Sequence, residues 1–165
     1  MTRPFPKHAV DQLREDCEAK AMRPFLARGS NAKRCPSCLM AKFACFCTQR
    51  QMQNTSLQFI LLYHRDEIHK PTNSGRLIAD LFPNQTKAFI WSRTEPDKAL
   101  LNLLNELKES CTILFPNTET AQNQGRNVRD QQDILKTDEE TGKPHTFVIL
   151  DGTWKQASKM FHQSE

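Results

Sequence analysis

Four of the six cysteines lie within thirteen residues, and this cluster is the strongest chemical signal in the sequence. The thiols follow the spacing C-x2-C-x6-C-x-C, at Cys35, Cys38, Cys45 and Cys47. A Cys-x-x-Cys turn directs two sulfurs at one centre, and two cysteines separated by one residue in an extended segment project to the same side. Four thiolates complete a tetrahedral Zn²⁺ shell and leave no open position. The spacing therefore predicts a structural zinc site.

Two other interpretations of the cluster remain, an iron–sulfur centre and a set of unligated buried thiols. The opening residues MTRPFPKHAV contain no apolar signal segment, which predicts a cytoplasmic protein. Clustered thiols in a reducing compartment bind metal more often than they form disulfides. The other two cysteines, Cys17 and Cys111, have apolar neighbours and are predicted to be small core residues.

Charge and hydropathy narrow the class of protein. The longest apolar runs, 59–63 and 147–150, are far shorter than the ~20 residues that span a bilayer, so no membrane partner is expected. Residues 1–50 hold ten Lys or Arg and four acidic residues, which favours a polyanion such as RNA, with a merely solvated surface as the alternative. The predicted RNA-backbone contacts are Lys33, Arg34, Lys42, Arg50, Lys155 and Lys159.

The rest of the chain alternates apolar runs with helical patterns. After a helix at 9–22, strands are predicted at 57–63, 87–91, 112–115 and 146–150. Helices are predicted at 75–82 and at 154–163, and a further helix is predicted with Thr94 as its N-cap and Pro96 in its first turn. Residues 117–145 are predicted to form a long polar loop. This order predicts an α/β fold with a mostly parallel sheet covered on both sides. Residues 1–55 form the N-terminal helix and cysteine segment, and 56–165 the α/β domain.

Ligands of such sheets bind beyond the carboxyl ends of the strands, and a polar segment follows the first strand there. Thr72, Asn73 and Ser74 are N-cap types, and Gly75 permits a close backbone approach, so this helix start is predicted to attract an anion. Arg76 adds a guanidinium fork that suits a carboxylate or a phosphate. An ordinary capping turn is the alternative.

A second polar segment, Asp151-Gly152-Thr153-Trp154, follows the last strand. The acid lies at the predicted ligand edge, Gly152 permits the turn, and the indole offers a flat surface for a base. The alternative makes Asp151 a plain N-cap and places Trp154 in the core. His64 and His69 have no convincing ligand partner in the sequence and are predicted to be surface or supporting groups.

Five motifs in order carry a resemblance to a known family. They are the cysteine cluster 35–47, Lys70-Pro-Thr-Asn-Ser-Gly-Arg-Leu-Ile-Ala-Asp80, Phe89-Ile-Trp-Ser-Arg-Thr-Glu-Pro96, Phe115-Pro116 and Leu150-Asp-Gly-Thr-Trp154. Together they resemble the DTW-domain family, whose bacterial members are tRNA-uridine aminocarboxypropyltransferases related to the SPOUT RNA methyltransferases. The resemblance runs from about Arg34 to the last residue.

The resemblance implies transfer of the 3-amino-3-carboxypropyl group from S-adenosylmethionine to N3 of a uridine in the tRNA variable loop. Asp151 is then the expected general base. The expected cofactor-binding residues include an Arg76 clamp for the donor's carboxylate, helped by backbone N–H groups of 72–75. The full expected set is Thr72, Asn73, Ser74, Gly75, Arg76, Phe115, Pro116, Gly152, Thr153 and Trp154.

Two alternative functions are a SPOUT-type methyltransferase and a catalytically inactive RNA-binding module. Family members continue beyond the Asp-Gly-Thr-Trp helix, whereas this chain stops at Glu165, so it is expected to be C-terminally incomplete relative to the family. The oligomeric state is not indicated by any feature of the sequence.

Overall fold

The computed structural model describes residues 5–26, 29, 31–116 and 142–164. Within them, four strands form an all-parallel sheet in the order β2-β1-β4-β3. The strands are β1 Gln58–Tyr63, β2 Thr86–Ile90, β3 Cys111–Leu114 and β4 Thr146–Asp151. Because the sheet is parallel and its strands alternate with helices, the predicted α/β class is confirmed.

Four α-helices accompany the sheet in the described residues: α1 Ala9–Lys20, α2 Gly75–Leu81, α3 Lys98–Leu107 and α4 Trp154–Gln163. The predicted start of α3 was wrong. Its N-cap is Asp97, whose carboxylate accepts from the N–H of Ala99 at 2.7 Å, so Thr94 and Pro96 precede the helix. Of the predicted long polar loop, 117–141 lies outside the described residues. No helix in the described part of the chain is long and apolar enough to cross a membrane.

Helices cover both faces of the sheet. On one face Leu61 and Tyr63 pack with Val10 of α1 and Ala79 of α2, whereas on the other Ile60, Leu62 and Val148 pack with Leu100 of α3 and Met160 of α4. This alternation follows from the two-residue period of a strand, and burial on both faces explains the unbroken apolar run of β1. Cys17 and Cys111 pack against these clusters, which confirms them as core residues.

A buried network of charged side chains joins the N-terminal segment to α2. His8, the N-cap of α1, places Nε2 2.8 Å from Oδ1 of Asp80, and Arg50 forms an ion pair with the same carboxylate. Arg76 Nη2 lies 2.7 Å from Oδ1 of Asp11. These pairs connect segments on the two sides of residue 55. Loss of one partner from such a buried pair would leave an uncompensated charge in the interior, which is strongly destabilising.

Candidate functional site

The four clustered cysteines have the geometry of a metal site. Their sulfurs all lie within 4.8 Å of one another, with 3.6 Å between Sγ of Cys35 and Cys47 and 3.8 Å between Sγ of Cys38 and Cys45. A tetrahedral ion with Zn–S bonds of about 2.3 Å requires sulfur–sulfur distances of about 3.8 Å. The two printed sulfur–sulfur distances match this spacing, and the cluster could hold a metal ion such as Zn²⁺.

Local backbone structure arranges these sulfurs. Residues Arg34 and Ala41 form an antiparallel bridge around the first cysteine pair, and Leu39 takes a left-handed conformation with φ 62° to close the turn. A hydrogen bond from the backbone of Cys38 lowers the pKa of the Cys35 thiol to about 6, against the opposing effect of burial. Since a thiolate is the metal-binding form, the low pKa favours ligation by Cys35. In the metal-free cluster a backbone hydrogen bond from Cys47 lowers the pKa of Cys45, but side-chain hydrogen bonds with Cys35 and Cys47 outweigh it and raise that pKa to about 12.

The predicted RNA-contacting cations differ in accessibility. Lys33 and Lys42 are exposed beside the cysteine cluster. Arg34 is half-buried and donates to the Leu39 carbonyl at 3.2 Å. Arg50 is different, because its side chain is 2% exposed and pairs with Asp80. This burial contradicts the predicted phosphate contact of Arg50, which instead stabilises the fold. Lys155 and Lys159 are exposed on α4.

At the carboxyl edge of the sheet, Asp151 is held by the segment that precedes α2. It pairs with Tyr63 in the register of β1 and β4, on the face covered by α1 and α2. Its Oδ1 accepts from the Asn73 amide at 2.6 Å and its Oδ2 from the Gly75 N–H at 2.8 Å. The Tyr63 hydroxyl donates to Asn73 Oδ1 at 3.1 Å. The structure thus brings together three of the predicted site residues.

The predicted anion at the start of α2 is the protein's own carboxylate. Gly75 lies so close that an added Cβ would be 2.3 Å from Asp151 Oδ2 and 2.9 Å from the Tyr63 hydroxyl. Ser74, the N-cap, makes no capping bond with its side chain. Because the Gly75 N–H already donates to Asp151, this N–H has an internal partner, and its predicted role in binding the donor's carboxylate stays a prediction.

Arg76 points away from this network toward α1 and the cysteine segment. The residue is 3% exposed, and besides its Asp11 ion pair it donates to the carbonyl of Ser37 at 2.5 Å. Within the described part of the chain, its Nε and Nη1 have no hydrogen-bond partner. Asp11 thus already supplies the carboxylate that the guanidinium was predicted to receive from a ligand, and the donor-binding role of Arg76 stays a prediction.

The electrostatics of Asp151 combine opposing effects. Burial raises the pKa of this carboxyl, while the hydrogen bonds from Gly75 and Asn73 lower it, and the net shift is upward. A carboxylate with a raised pKa is a stronger base than an ordinary aspartate. Each oxygen also keeps a lone pair beyond the one bond it accepts.

Asp151→Asn tests whether burial outweighs hydrogen bonding in setting the pKa of Asp151. A raised folded-state pKa means that the stability contributed by Asp151 is complete below the unfolded value of 3.8 and declines as pH rises through the folded value. We expect the free energy of unfolding of the wild type, relative to Asp151→Asn, to decrease as pH rises from the unfolded value through the folded value. Urea unfolding across this range measures it, and an increase would mean that the hydrogen bonds dominate.

The segment after Asp151 builds an aromatic surface on the opposite face. Thr153, rather than Asp151, is the N-cap of α4, and its hydroxyl and N–H both contact Gln156. Trp154 is 63% exposed and stacks on Phe115, with centroids 5.6 Å apart. The alternative that placed Asp151 at the N-cap and Trp154 in the core is therefore wrong. Phe115 also stacks on Phe161 at 4.0 Å.

His64, predicted to be a surface or supporting group, lies beside Asp151 in the structure. Its N–H donates to the Asp151 carbonyl at 2.9 Å, its Nδ1 is 3.1 Å from Nε2 of Gln156, and its ring stacks on Trp91 at 6.4 Å. The carboxyl-edge rule already placed the segment after β1 at this edge of the sheet. The contact between His64 and Gln156 was not predictable, because it joins residues 92 positions apart and no local pattern encodes it.

A cavity of about 450 Å³ opens at the carboxyl ends of β1, β2 and β4, on the face covered by α3 and α4. Its wall is largely apolar, with Leu62, Trp91 and Phe161 among the lining residues, and Arg93 and Asp97 add charge. The volume falls in the range of roughly 300–1,000 Å³ typical of small-molecule sites. Trp91 contacts both the cavity and His64, so the cavity and the polar edge adjoin.

The described residues thus define an α/β protein with a parallel sheet, a polar carboxyl edge, an adjoining cavity and a four-cysteine cluster that could hold a metal. The DTW domain model matches residues 32–165, which include the cysteine cluster and the whole sheet. The chain belongs to the DTW domain family. This family is associated with tRNA-modifying enzymes. No solved structure matches the chain.

Proposed function

We propose that this protein transfers the 3-amino-3-carboxypropyl group of S-adenosylmethionine to N3 of a uridine in the tRNA variable loop. One observation carries most of the proposal, the fixed Asp151 carboxylate with a raised pKa at the sheet edge of a DTW domain. Uridine N3 holds a proton at neutral pH, so attack through this atom needs a positioned base.

The proposed step balances as a substitution. Uridine N3 forms a bond to the methionine Cγ as the Cγ–S bond breaks, and the sulfur retains the electron pair and leaves as methylthioadenosine. Asp151 accepts the proton that N3 loses. Asn73 and Gly75 keep the carboxylate in place, because each donates to one of its oxygens. Precise placement matters, since a misplacement of ~1 Å costs about 100-fold in rate.

Donor selectivity requires that Cγ, rather than the methyl carbon, face the base. We place the adenosine part of the donor in the cavity beside Trp91, since the volume and the largely apolar wall suit a purine. Arg93 is exposed in that wall, so we assign its guanidinium to the donor's carboxylate. The guanidinium of buried Arg76 is instead paired with Asp11. Trp154, with its exposed indole, is positioned at the same edge to stack on a base.

Transfer is tested with two donors, one labelled in the methionine carbons and one labelled in the methyl group. We expect only the first label to enter the tRNA, with release of methylthioadenosine, and nucleoside mass spectrometry reads both. Asp151→Asn should abolish the product while tRNA binding persists. Methyl label on the RNA would instead identify a methyltransferase. Binding of tRNA without measurable donor binding would identify an inactive RNA-binding module.

The tRNA contact is proposed to be electrostatic and carried by exposed lysines on two surfaces, Lys33 and Lys42 beside the cysteines and Lys155 and Lys159 on α4. We expect Lys155→Ala to weaken binding equally for different tRNA sequences and to reduce the slope of log affinity against log salt by about 1. Filter binding at several salt concentrations measures the slope. Lys87→Ala, at an exposed position on β2, is the control, and an equal loss there would contradict a localised surface.

A further inference from the structure

His64 lies at the junction of the polar edge and the cavity, and its contacts determine which ring nitrogen carries the proton. Gln156 Oε1 accepts from the N–H of Thr153 at 2.7 Å and from its hydroxyl at 2.8 Å. The backbone N–H can only donate, so its contact requires an oxygen at that position and fixes the orientation of the Gln156 amide. The amide nitrogen therefore faces His64 Nδ1, at 3.1 Å.

An amide nitrogen only donates, so His64 Nδ1 must be the acceptor. A neutral imidazole with Nδ1 as acceptor carries its hydrogen on Nε2. The capping box of α4 thus sets the tautomer of a histidine on a different strand. Stacking on Trp91 further restricts the ring plane, with 25° between the rings. The result is a fixed N–H donor beside the site.

From this geometry we infer that His64 is a further substrate-contacting residue, which donates from Nε2 to a carbonyl oxygen of the target pyrimidine. This inference rests on the proposed function. When N3 of a uracil gives up its proton to Asp151, negative charge spreads to the two carbonyl oxygens that flank N3. A preorganised donor beside that charge stabilises the transition state, and removal of one such donor costs about 10²–10³ in kcat.

The placement of His64 relative to Asp151 suits this role. Asp151 is the last residue of β4, and His64 directly follows the neighbouring strand β1; a backbone hydrogen bond from the His64 N–H to the Asp151 carbonyl joins them at 2.9 Å. In the proposed complex, a uracil that directs N3 toward Asp151 directs one of the two carbonyl oxygens beside N3 toward His64. His64 transfers no proton in this scheme, since it only donates a hydrogen bond.

The tautomer is tested without any activity measurement. Histidine labelled with ¹⁵N is observed in alkaline buffer, where imidazoles are neutral, and the His64 signals are assigned by their loss in His64→Phe. We expect the Nε2–H form in the wild type. Gln156→Glu keeps the capping box, because glutamate is favoured at that position. Its carboxylate can only accept, so we expect His64 to carry the proton on Nδ1. A wild-type Nδ1–H form would overturn the inference.

The substrate contact is tested by kinetics. His64→Phe keeps an aromatic ring beside Trp91 and removes the donor, so we expect kcat to fall 10²–10³-fold with tRNA affinity nearly unchanged. His64→Gln restores an N–H donor and should recover part of the rate. His69→Phe, in the same loop, is the control and should stay within about twofold of the wild type. Full activity in His64→Phe alongside an inactive Asp151→Asn would refute the role of His64 and leave the proposed function standing. Methyl transfer that still depends on His64 would refute the proposed aminocarboxypropyl transfer and leave the substrate contact of His64 standing.

Discussion

We expect Cys38→Ser to weaken zinc binding by the cysteine cluster and to loosen the cysteine segment. Cys38 is the most buried of the four ligands, at 2% exposure, and its sulfur belongs to a set that matches a zinc tetrahedron. Structural zinc contributes about 10–16 kcal/mol of binding energy in small zinc-dependent folds, so loss of one ligand is expected to weaken metal affinity more than about 100-fold. Elemental analysis of the purified protein measures the effect, with one zinc per chain expected in the wild type.

Cys111→Ser provides the matched control, because this thiol packs against the core near α3 and lies outside the cluster. It should retain one zinc. Hydrogen exchange supplies a second measurement, since the Ser37 carbonyl within the cysteine turn accepts from Arg76 at the start of α2. We expect faster exchange at α2 in Cys38→Ser. A brown preparation that contains iron would contradict the zinc assignment.

Gly75→Ala is expected to damage both stability and activity. In an exposed helix interior, alanine is favoured over glycine by about 1 kcal/mol. Here the added Cβ would lie 2.3 Å from the Asp151 carboxylate and 2.9 Å from the Tyr63 hydroxyl, both of which are held by neighbours. Crowding of this kind costs about 1–3 kcal/mol. The displacement of Asp151 should lower the transfer rate about 100-fold.

Leu77→Ala on the same helix separates this local effect from general damage to α2. Leu77 is 56% exposed, so its replacement should change the free energy of unfolding by about 0.5 kcal/mol or less. Urea unfolding compares the two variants, with the slope of the transition checked for two-state behaviour. An unfolding midpoint for Gly75→Ala at or above that of the wild type would show that the close approach to Asp151 does not constrain this glycine.

The elements of the fold were readable from local patterns. The apolar run 59–63 is buried on both faces, so its composition predicts the strand directly. Leucines at positions 100, 103, 104 and 107 have helical spacing and predict α3. The start of α3 was not readable, because Thr94 and Asp97 are both favourable N-caps and only the folded chain shows which side chain accepts. The cysteine cluster was readable because its ligands are close in sequence.

The long-range pairs were beyond sequence reasoning. Asp151 meets Gly75 and Asn73 across more than seventy residues, and Arg76 meets Asp11 across a similar separation. A basic residue near the cysteines looks the same in sequence whether it faces RNA, as predicted for Arg50, or a buried carboxylate such as Asp80. Pairing of this kind depends on tertiary packing, and no local period encodes it.

His8 and Arg50 both contact Asp80, and these contacts indicate where the independently folding unit starts. The family match begins at residue 32, yet α1 supplies Asp11 to Arg76, and His8 at its N-cap contacts Asp80. Excision at the family boundary would deprive the buried Arg76 guanidinium of its ion-pair partner, a loss worth several kcal/mol, and would leave Asp80 with Arg50 alone. The helix that precedes the family match is thus part of the same cooperative structure as α2, whose first residue Gly75 contacts Asp151.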